Sequence, residues 1–365
     1  MGAGDLRRAR TQHVSRASKA SVEDFFSAKF AGKRYLFGCN EHSAALAERV
    51  DIAGFVDDFR GDALFCGKPV LHGDSVPRGA AVVNCVFCAR SLMARSRIDK
   101  LNVTLALEYA DLLRHAQECA LVPEFVSDTR ADLRIHGERW EKVAEMLSDK
   151  ESKKVLRDLI NFRTSGSLDF LEEYSFRPKE QYFEQFCPLK PGEVFVDCGG
   201  FDGDTAEQFV LRCPDYRKVW LFEPSSANMC RAELRLASYR DVCFVAKAVG
   251  DRPHTVCFDS SAGTSSAVSE SGDTLVEVGT LDQEIDERVT LIKMDLEGWE
   301  LKALKGARRH IERDHPKLAI AVYHQASDFW RVPEQVLGVR DDYNIYLRHY
   351  TEGWSETVMY FIPHS

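Results

Sequence analysis

Short apolar segments alternate with amphipathic segments along two stretches of the chain, a pattern typical of parallel strands joined by helical crossovers. In the first stretch it predicts strands at 34–38, 53–56 and 80–87, with helices at 41–50 and from Ala89. In the second stretch it predicts five strands, at 193–197, 219–222, 242–246, 289–294 and 318–322, with helices at 206–211 and from about 300 to 313, and it assigns 256–259 to an excursion between the third and fourth strands. Each stretch is expected to form its own α/β sheet.

Two further strands, at 343–350 and 356–362, are joined through Glu352-Gly353-Trp354 and predict an antiparallel hairpin appended to the second sheet. That sheet is therefore expected to have seven strands, the last antiparallel. Between the two stretches, residues 110–188 carry apolar positions at helical spacing. They predict a helical connector, with a break between two helices at Asp149 and Ser152.

Four segments follow from this organisation, and the length of 365 residues agrees with two domains. Residues 1–32 begin with many basic side chains and lack hydrophobic periodicity, so they are expected to be a mobile tail. Residues 33–108 are expected to form a smaller α/β domain, 109–188 the helical connector, and 189–365 the second α/β domain.

The smaller domain carries the segments GFVDD (54–58) and GKPVLHG (67–73). In these it resembles the small Rossmann-like domain at the start of some nucleotide-sugar-modifying acyltransferases. Its first turn is Gly38-Cys39-Asn40, which is not a GxGxxG motif, so a bound dinucleotide is disfavoured. The resemblance implies recognition of a substrate, and a scaffold or dimerisation role is the alternative.

Charge and cysteine content disfavour several classes of function. Lys and Arg number 48 against 57 Asp and Glu, and the net charge of −9 argues against a sequence-independent grip on nucleic acid. No apolar run approaches the roughly 20 residues that span a bilayer, and no signal-peptide core follows the basic start. The eleven cysteines are scattered, mostly in apolar runs, which predicts reduced structural thiols in a cytoplasmic protein.

The strand at 193–197 runs into a glycine-rich turn, Cys198-Gly199-Gly200-Phe201-Asp202-Gly203-Asp204-Thr205, before a helix. Glycines lack the side chains that would keep a ligand away from the backbone and the helix N-terminus. Glu223 lies 26 residues after Asp197 at the end of the next strand. An acidic residue there can accept hydrogen bonds from both ribose hydroxyls of a nucleoside, although a helix N-cap is the alternative for Glu223.

Two features favour S-adenosylmethionine over a dinucleotide. The turn carries three carboxylates, Asp197, Asp202 and Asp204, which would repel a pyrophosphate and attract a sulfonium with an α-amino group. The terminal hairpin is typical of the methyltransferase variant of the doubly wound sheet.

With these pieces in place, the second α/β domain resembles the FkbM family of S-adenosylmethionine-dependent methyltransferases. The matching segments run in order from about 190 to 363: FVDCGGFDGDT, FEP, KAVG, TLDQEI, IKMDLEGWELKALKGA and the closing hairpin. Phe201 stands where other methyltransferases often have glycine, which the FkbM pattern tolerates. The resemblance implies a Rossmann-like fold, S-adenosylmethionine as cofactor, and methylation of an oxygen on a sugar, glycan or other small natural product. The residues expected to bind the cofactor are Asp197, Gly199, Gly200, Asp202, Gly203, Asp204, Thr205, Glu223, Pro224, Ala248 and Asp295.

Methyl transfer to an alcohol needs a base for the hydroxyl proton. His324 is the first candidate because it titrates near neutrality and follows the fifth strand, and Asp295 and Glu297 are the alternatives. Glu300 is expected to stabilise a helix N-terminus. A divalent cation on Asp295, Glu297 and His324 is possible but not favoured, because their spacing is not a defined metal motif. The Ser- and Gly-rich residues 260–272 are expected to be mobile, and they are the expected lid if Glu297 is the base.

Three rival functions agree less well with the sequence. A catalytically silent module for nucleoside binding or nucleotide-sugar recognition would be supported by a broken turn or a missing ribose carboxylate, and neither occurs. A nucleotide-sugar or NAD-dependent enzyme centred on the smaller domain would need a better phosphate loop. An RNA methyltransferase is disfavoured by the negative charge. The expected partner is a small-molecule or carbohydrate acceptor, without nucleic acid or a membrane span, and self-association through the smaller domain is possible.

Overall fold

The computed structural model describes residues 17–61, 63–258 and 274–364. They divide into two compact units. The first unit contains the described residues up to Gly137 together with 154–177 and 350–355, and the second contains 138–153, 178–349 and the last residues from Glu356. The helices predicted as a separate connector at 109–188 are therefore shared between the two units.

The first unit is built on a six-stranded sheet in the order β3-β4-β2-β1-β5-β6. Its strands are β1 (Arg34–Phe37), β2 (Gly54–Val56), β3 (Leu64–Phe65), β4 (Lys68–Leu71), β5 (Ala81–Asn84) and β6 (Leu105–Glu108). All neighbours are parallel except β3, which runs antiparallel to β4. The three central strands are buried along their whole length, as in a parallel sheet covered on both faces. The strands of the predicted smaller α/β domain thus form one sheet, and the compact unit around it extends beyond the predicted range of 33–108.

Helices accompany this sheet and connect it to the rest of the chain: α1 (Lys19–Phe26), α2 (Glu41–Ala47), α3 (Ser91–Asp99), α4 (Tyr109–His115), α5 (Glu124–Met146) and α6 (Lys150–Ser165). The backbone of α5 leaves helical geometry at His136, next to the boundary between the units. The predicted break before α6 is present, because Asp149 accepts a hydrogen bond from the Ser152 amide at 2.7 Å.

The expectation of a mobile tail at 1–32 is wrong for its second half. Ser18 caps α1 by accepting a hydrogen bond from the Ser21 amide, and Phe25 on this helix is fully buried. The buried Arg34 side chain holds the end of α1 by donating from Nε to the Phe25 carbonyl (2.5 Å) and from Nη2 to the Ser27 carbonyl (2.6 Å). Residues 1–16 lie outside the described part of the chain.

The second unit is built on a seven-stranded sheet in the order β15-β16-β14-β13-β7-β8-β9. Its strands are β7 (Val194–Cys198), β8 (Lys218–Phe222), β9 (Val242–Val245), β13 (Leu291–Met294), β14 (Lys317–Ala321), β15 (Tyr343–His349) and β16 (Thr357–Pro363). The strand β16 is antiparallel to both of its neighbours, and the other pairs are parallel. The prediction of a Rossmann-like methyltransferase sheet with seven strands, the last antiparallel, is confirmed.

A smaller sheet of three strands lies in the same unit: β10 (Ala248–Val249), β12 (Thr274–Gly279) and β11 (His254–Phe258), in that order. The strand β12 was not predicted. Residues 259–273, between β11 and β12, lie outside the described part of the chain, and with them the loop at 260–272 that was expected to be a lid.

The helices of the second unit, besides parts of α5 and α6, are α7 (Asp204–Arg212), α8 (Ser226–Leu236), α9 (Leu281–Glu284), α10 (Glu300–Gly306), α11 (Arg308–Asp314) and α12 (Asp328–Leu337). The register pairs Lys293 with Asp197 and Met294 with Cys198. The strands β7 and β13 therefore end side by side, so Asp295 follows at the same sheet edge as the glycine-rich turn. Across the described residues, none of the helices is both long enough and apolar enough to span a bilayer.

Candidate active site

The glycine-rich turn after β7 is packed so closely that side chains cannot replace its glycines. Gly199 has a φ of +79°, and a Cβ there would overlap the backbone oxygen of Asp295. A Cβ on Gly200 would overlap the Leu221 side chain on β8. Gly203 has a φ of +83° immediately before α7. The turn thus needs glycine both for its conformation and for close approach.

A buried ion pair between strands β7 and β13 holds this turn in place. Because Lys293 and Asp197 are register partners on neighbouring parallel strands, their side chains lie on the same face, with 3.0 Å between Nζ and Oδ1. Lys293 Nζ also donates a hydrogen bond to the Gly199 carbonyl at 2.7 Å. Burial alone would lower the pKa of Lys293, but Asp197 and Asp295 outweigh it and hold the pKa above its usual value. Asp197 is 0% exposed, so it can act on a ligand only through the turn.

Glu223, at the end of β8, also holds the glycine-rich turn in place through hydrogen bonds. One carboxylate oxygen accepts a hydrogen bond from the Phe201 amide (3.0 Å), and the other accepts one from the Ser225 amide (2.8 Å). Burial raises the pKa of Glu223 above its usual value, although these hydrogen bonds act to lower the pKa. The Asn228 side chain also donates to the oxygen that accepts from Ser225 (3.4 Å). Each carboxylate oxygen can accept two hydrogen bonds, so the oxygen bonded to the Phe201 amide keeps one free acceptor position for a ribose hydroxyl. The glycine cradle and Glu223 fit a nucleoside cofactor.

The remaining predicted cofactor residues differ in how they are placed. Asp202 pairs with Arg235 on α8, with 2.7 Å between Oδ2 and Nη2. Asp204 opens α7 and accepts a hydrogen bond from the Thr205 amide at 2.7 Å. Ala248 is buried at the start of β10. Pro224 follows Glu223 and is partly exposed.

The charge argument against a pyrophosphate is weaker than the sequence suggested. Asp197 is paired with Lys293 and Asp202 with Arg235. Among the described residues, Asp204 alone of the three turn carboxylates has no cationic side chain within 4.0 Å. These pairs join elements distant in sequence, so the count of acidic residues overstated the charge that a ligand would meet.

Asp295, directly after β13, is held by two tyrosines. Its carboxylate accepts hydrogen bonds from the hydroxyls of Tyr182 (2.8 Å) and Tyr323 (3.2 Å). Gln181 donates both to the Tyr182 hydroxyl (2.9 Å) and to the carboxylate of Glu356 (2.5 Å). Burial, together with the nearby Asp295 charge, raises the pKa of Glu356 to about 7.

His324, after β14, lies among three carboxylates. Its Nδ1 is 3.1 Å from Glu300, and its Nε2 is 3.4 Å from Glu297 and 3.6 Å from Asp295. Burial alone would lower the pKa of His324, but these carboxylates outweigh it and raise the pKa well above the usual histidine value. The three candidate side chains Asp295, Glu297 and His324 therefore lie close together. A raised pKa favours the protonated imidazole, which works against a role as the resting base.

Four non-glycine residues of the site have left-handed backbone, with φ of +73° at Tyr182, +45° at Phe201, +51° at Glu297 and +61° at Glu356. Such conformations are strained for residues with side chains and concentrate at functional sites. Here they occur in the glycine-rich turn and around Asp295.

Sequence reasoning missed several residues of this site. Lys293 gave a signal, since a lysine inside the buried apolar segment Leu291–Met294 needs a partner. Glu356 lies just before β16, and its sequence position indicates only the start of a strand. Gln181 and Tyr182 gave no signal, because they belong to the irregular chain before β7.

A seven-stranded sheet in this order, with a glycine-rich turn after its central strand and an acidic residue ending the next, defines a Rossmann-like methyltransferase. Residues 197–351 match the family model of the methyltransferase FkbM domain. The chain therefore contains a methyltransferase FkbM domain, and the family resemblance of the sequence is confirmed. No curated protein matches the chain.

Solved structures support the fold. The chain is similar to methyltransferase FkbM from Methylobacillus flagellatus KT, with 23% identity and a TM-score of 0.72 over 98% of this chain and 97% of that one. This similarity extends the shared fold over both units. An rRNA methylase from Streptococcus thermophilus also matches, with 15% identity and a TM-score of 0.34 over 55% of this chain and 96% of that one, which is too distant to carry an argument.

Proposed function

We propose that this methyltransferase uses S-adenosylmethionine as its methyl donor and methylates an oxygen of a sugar, a glycan or another small natural product. The observation that carries the cofactor proposal is the pairing of the closely packed Gly199 turn with Glu223. The oxygen acceptor rests on the family resemblance and on the carboxylates grouped near Asp295.

In this proposal Glu223 accepts a hydrogen bond from the ribose with its free acceptor position, and the turn from Gly199 to Thr205, with Pro224 and Ala248 beside it, receives the rest of the cofactor. Lys293 and Asp197 act indirectly, because they fix the Gly199 carbonyl and with it the path of the turn. When bound, S-adenosylmethionine supplies an activated methyl group. The protein's part is to hold an acceptor oxygen in line with that group.

The proton of the acceptor hydroxyl must reach a base, and Asp295, Glu297 and His324 remain the proposed set. Since the pKa of His324 is raised by its carboxylate neighbours, we give this histidine the role of a charged group that orients Glu297 and Asp295. Glu297 is the favoured base because its side chain is 30% exposed, more than that of either neighbour in the set. Asp295 already accepts two tyrosine hydrogen bonds.

The first unit is proposed to recognise the acceptor or to mediate self-association. A reducing compartment such as the cytoplasm is proposed because all eleven cysteines are free thiols. A catalytically silent binding module remains the alternative from another class, but the formed turn and the Glu223 carboxylate give it no support.

Isothermal titration calorimetry with S-adenosylmethionine and S-adenosylhomocysteine tests the cofactor proposal. Glu223→Ala should lose roughly 1–3 kcal/mol of binding free energy, as for hydrogen bonds to a charged group. Glu233→Ala, on the exposed face of α8, is the matched control and should bind like the wild type. Unchanged binding in Glu223→Ala, or tight binding of NAD at the turn, would contradict the proposal. A screen of glycans and nucleotide sugars for methyl uptake from labelled S-adenosylmethionine then tests the acceptor class.

A further inference from the structure

Three side chains from consecutive parts of the sheet edge converge on one point of the second unit. Asp295 follows β13, Glu300 opens α10 and His324 follows β14. Each offers a possible metal-ligand atom, and these atoms all lie within 4.8 Å of one another. Two carboxylates and one imidazole form a donor set suited to a divalent cation.

The cluster has more negative than positive charge. Glu297 adds a third carboxylate, 3.4 Å from His324. Within the described ranges, none of these three carboxylates has a lysine or arginine side chain within 4.0 Å, and the His324 imidazole is their one basic neighbour. Lys293, the nearest lysine along β13, is already paired with Asp197. Buried charges are normally paired or bound to a metal, so the excess negative charge calls for a cation.

An unused ligand atom gives a second, independent observation. The Glu300 side chain is 1% exposed. One of its oxygens, Oε1, accepts a hydrogen bond from the Leu296 amide at 2.7 Å. The other oxygen, Oε2, is buried and has no hydrogen-bond partner among the described residues. Neither ring nitrogen of His324 is in hydrogen-bonding geometry, although both lie near carboxylates. Leaving the Glu300 Oε2 acceptor buried without a partner is costly.

We infer that Asp295, Glu300 and His324 bind one divalent cation of the Mn²⁺ type at the carboxyl ends of β13 and β14. The sequence suggested Asp295, Glu297 and His324 as possible ligands. In the site inferred here Glu300 takes the place of Glu297, because Glu300 supplies the buried oxygen that has no hydrogen-bond partner. Only the neutral imidazole of His324 can be a ligand, so the cation would take the place of the imidazole proton, which is released to solvent on binding. Binding of the cation does not depend on the proposed function. A catalytic role of the cation does depend on the proposed function, since a cation there would coordinate the acceptor hydroxyl and ease the loss of the hydroxyl proton.

Titration of the metal-free full chain with Mn²⁺, followed by electron paramagnetic resonance, tests this site. The wild type should bind one Mn²⁺ per chain. Glu300→Gln and Asp295→Asn should each weaken binding by at least about tenfold, as expected when a ligand is lost. Glu300→Gln keeps an amide oxygen for the Leu296 amide, and circular dichroism checks that both variants fold. Asp286→Asn changes a carboxylate that is 99% exposed and should bind Mn²⁺ like the wild type.

Two results would overturn the inference: absence of stoichiometric Mn²⁺ binding by the wild type, or equal affinity in folded Glu300→Gln and Asp295→Asn. Displacement of Mn²⁺ by S-adenosylmethionine but not by S-adenosylhomocysteine would also overturn it, because the carboxylates would then receive the sulfonium. Calorimetry with S-adenosylhomocysteine on the same samples separates this inference from the proposed function. Cofactor binding without Mn²⁺ binding refutes the metal site alone, and Mn²⁺ binding without cofactor binding refutes the proposed function alone.

Discussion

Lys293→Met removes the cation that anchors the glycine-rich turn while nearly preserving the length of the side chain. The 3.0 Å separation of Lys293 and Asp197 corresponds to an attraction of roughly 5–6 kcal/mol at an effective dielectric constant of about 20. Loss of one partner of a buried pair leaves the other charge uncompensated and costs about 3–5 kcal/mol. Lys293→Met should therefore lower the free energy of unfolding by about 3–5 kcal/mol.

Urea denaturation followed by circular dichroism measures this change, and Lys305→Met on the exposed side of α10 is the control, expected within about 0.5 kcal/mol of the wild type. Lys293→Met combined with Asp197→Leu should recover at least about 2 kcal/mol of the loss, because the unpaired carboxylate is then gone. A loss below about 1 kcal/mol in Lys293→Met, or a double variant as unstable as the sum of the single ones, would refute this account of the pair.

Three further predictions concern other parts of the molecule. Gly199→Ala places a Cβ against the Asp295 carbonyl at a positive φ, so it should abolish detectable binding of S-adenosylhomocysteine in calorimetry; wild-type affinity would contradict the close packing. Burial would raise the pKa of Asp314, but hydrogen bonds from its arginine and histidine neighbours and a backbone amide hold the pKa at about 2. Its stabilising effect is present above the ordinary carboxyl pKa and lost as pH falls from about 4 to about 2. Asp314→Asn should thus be roughly 1–2 kcal/mol less stable at pH 7, with the difference vanishing near pH 2 in pH-dependent urea unfolding; a constant difference would contradict the assignment. Arg34→Ala should remove the hydrogen bond that the Phe25 carbonyl of α1 accepts from Arg34 and speed tryptic cleavage within residues 19–30 in limited proteolysis, and an unchanged cleavage pattern would show that the apolar contacts of α1 suffice.

Local signals predicted the glycine-rich turn and the acidic strand ends, because each needs only a few neighbouring residues. Gly199 and Glu223 are recognisable from the segments that surround them. The pairing of Lys293 with Asp197 depends on the register of two strands that lie 96 residues apart, which sequence periodicity does not encode. The charge of the turn was misjudged for the same reason.

Elements that depend on distant partners were also missed. The helix α1 is short and depends on the Arg34 side chain, so its own composition gave little indication of order. The strand β12 pairs with β11 across residues 259–273, whose composition suggested only a loop. Tyr182 reaches Asp295 from irregular chain, where neither periodicity nor a motif marks a functional residue.

The left-handed backbone at Tyr182, Phe201, Glu297 and Glu356 has a consequence for the evolution and engineering of this protein. Each such residue costs of order 1–2 kcal/mol relative to glycine, so the site holds free energy that the rest of the fold must offset. Selection for heat tolerance alone should therefore recover glycine at these four positions early. The resulting proteins would have a higher melting temperature but would lose the side chains that shape the site. Substitutions at these residues would therefore raise stability and lower turnover together.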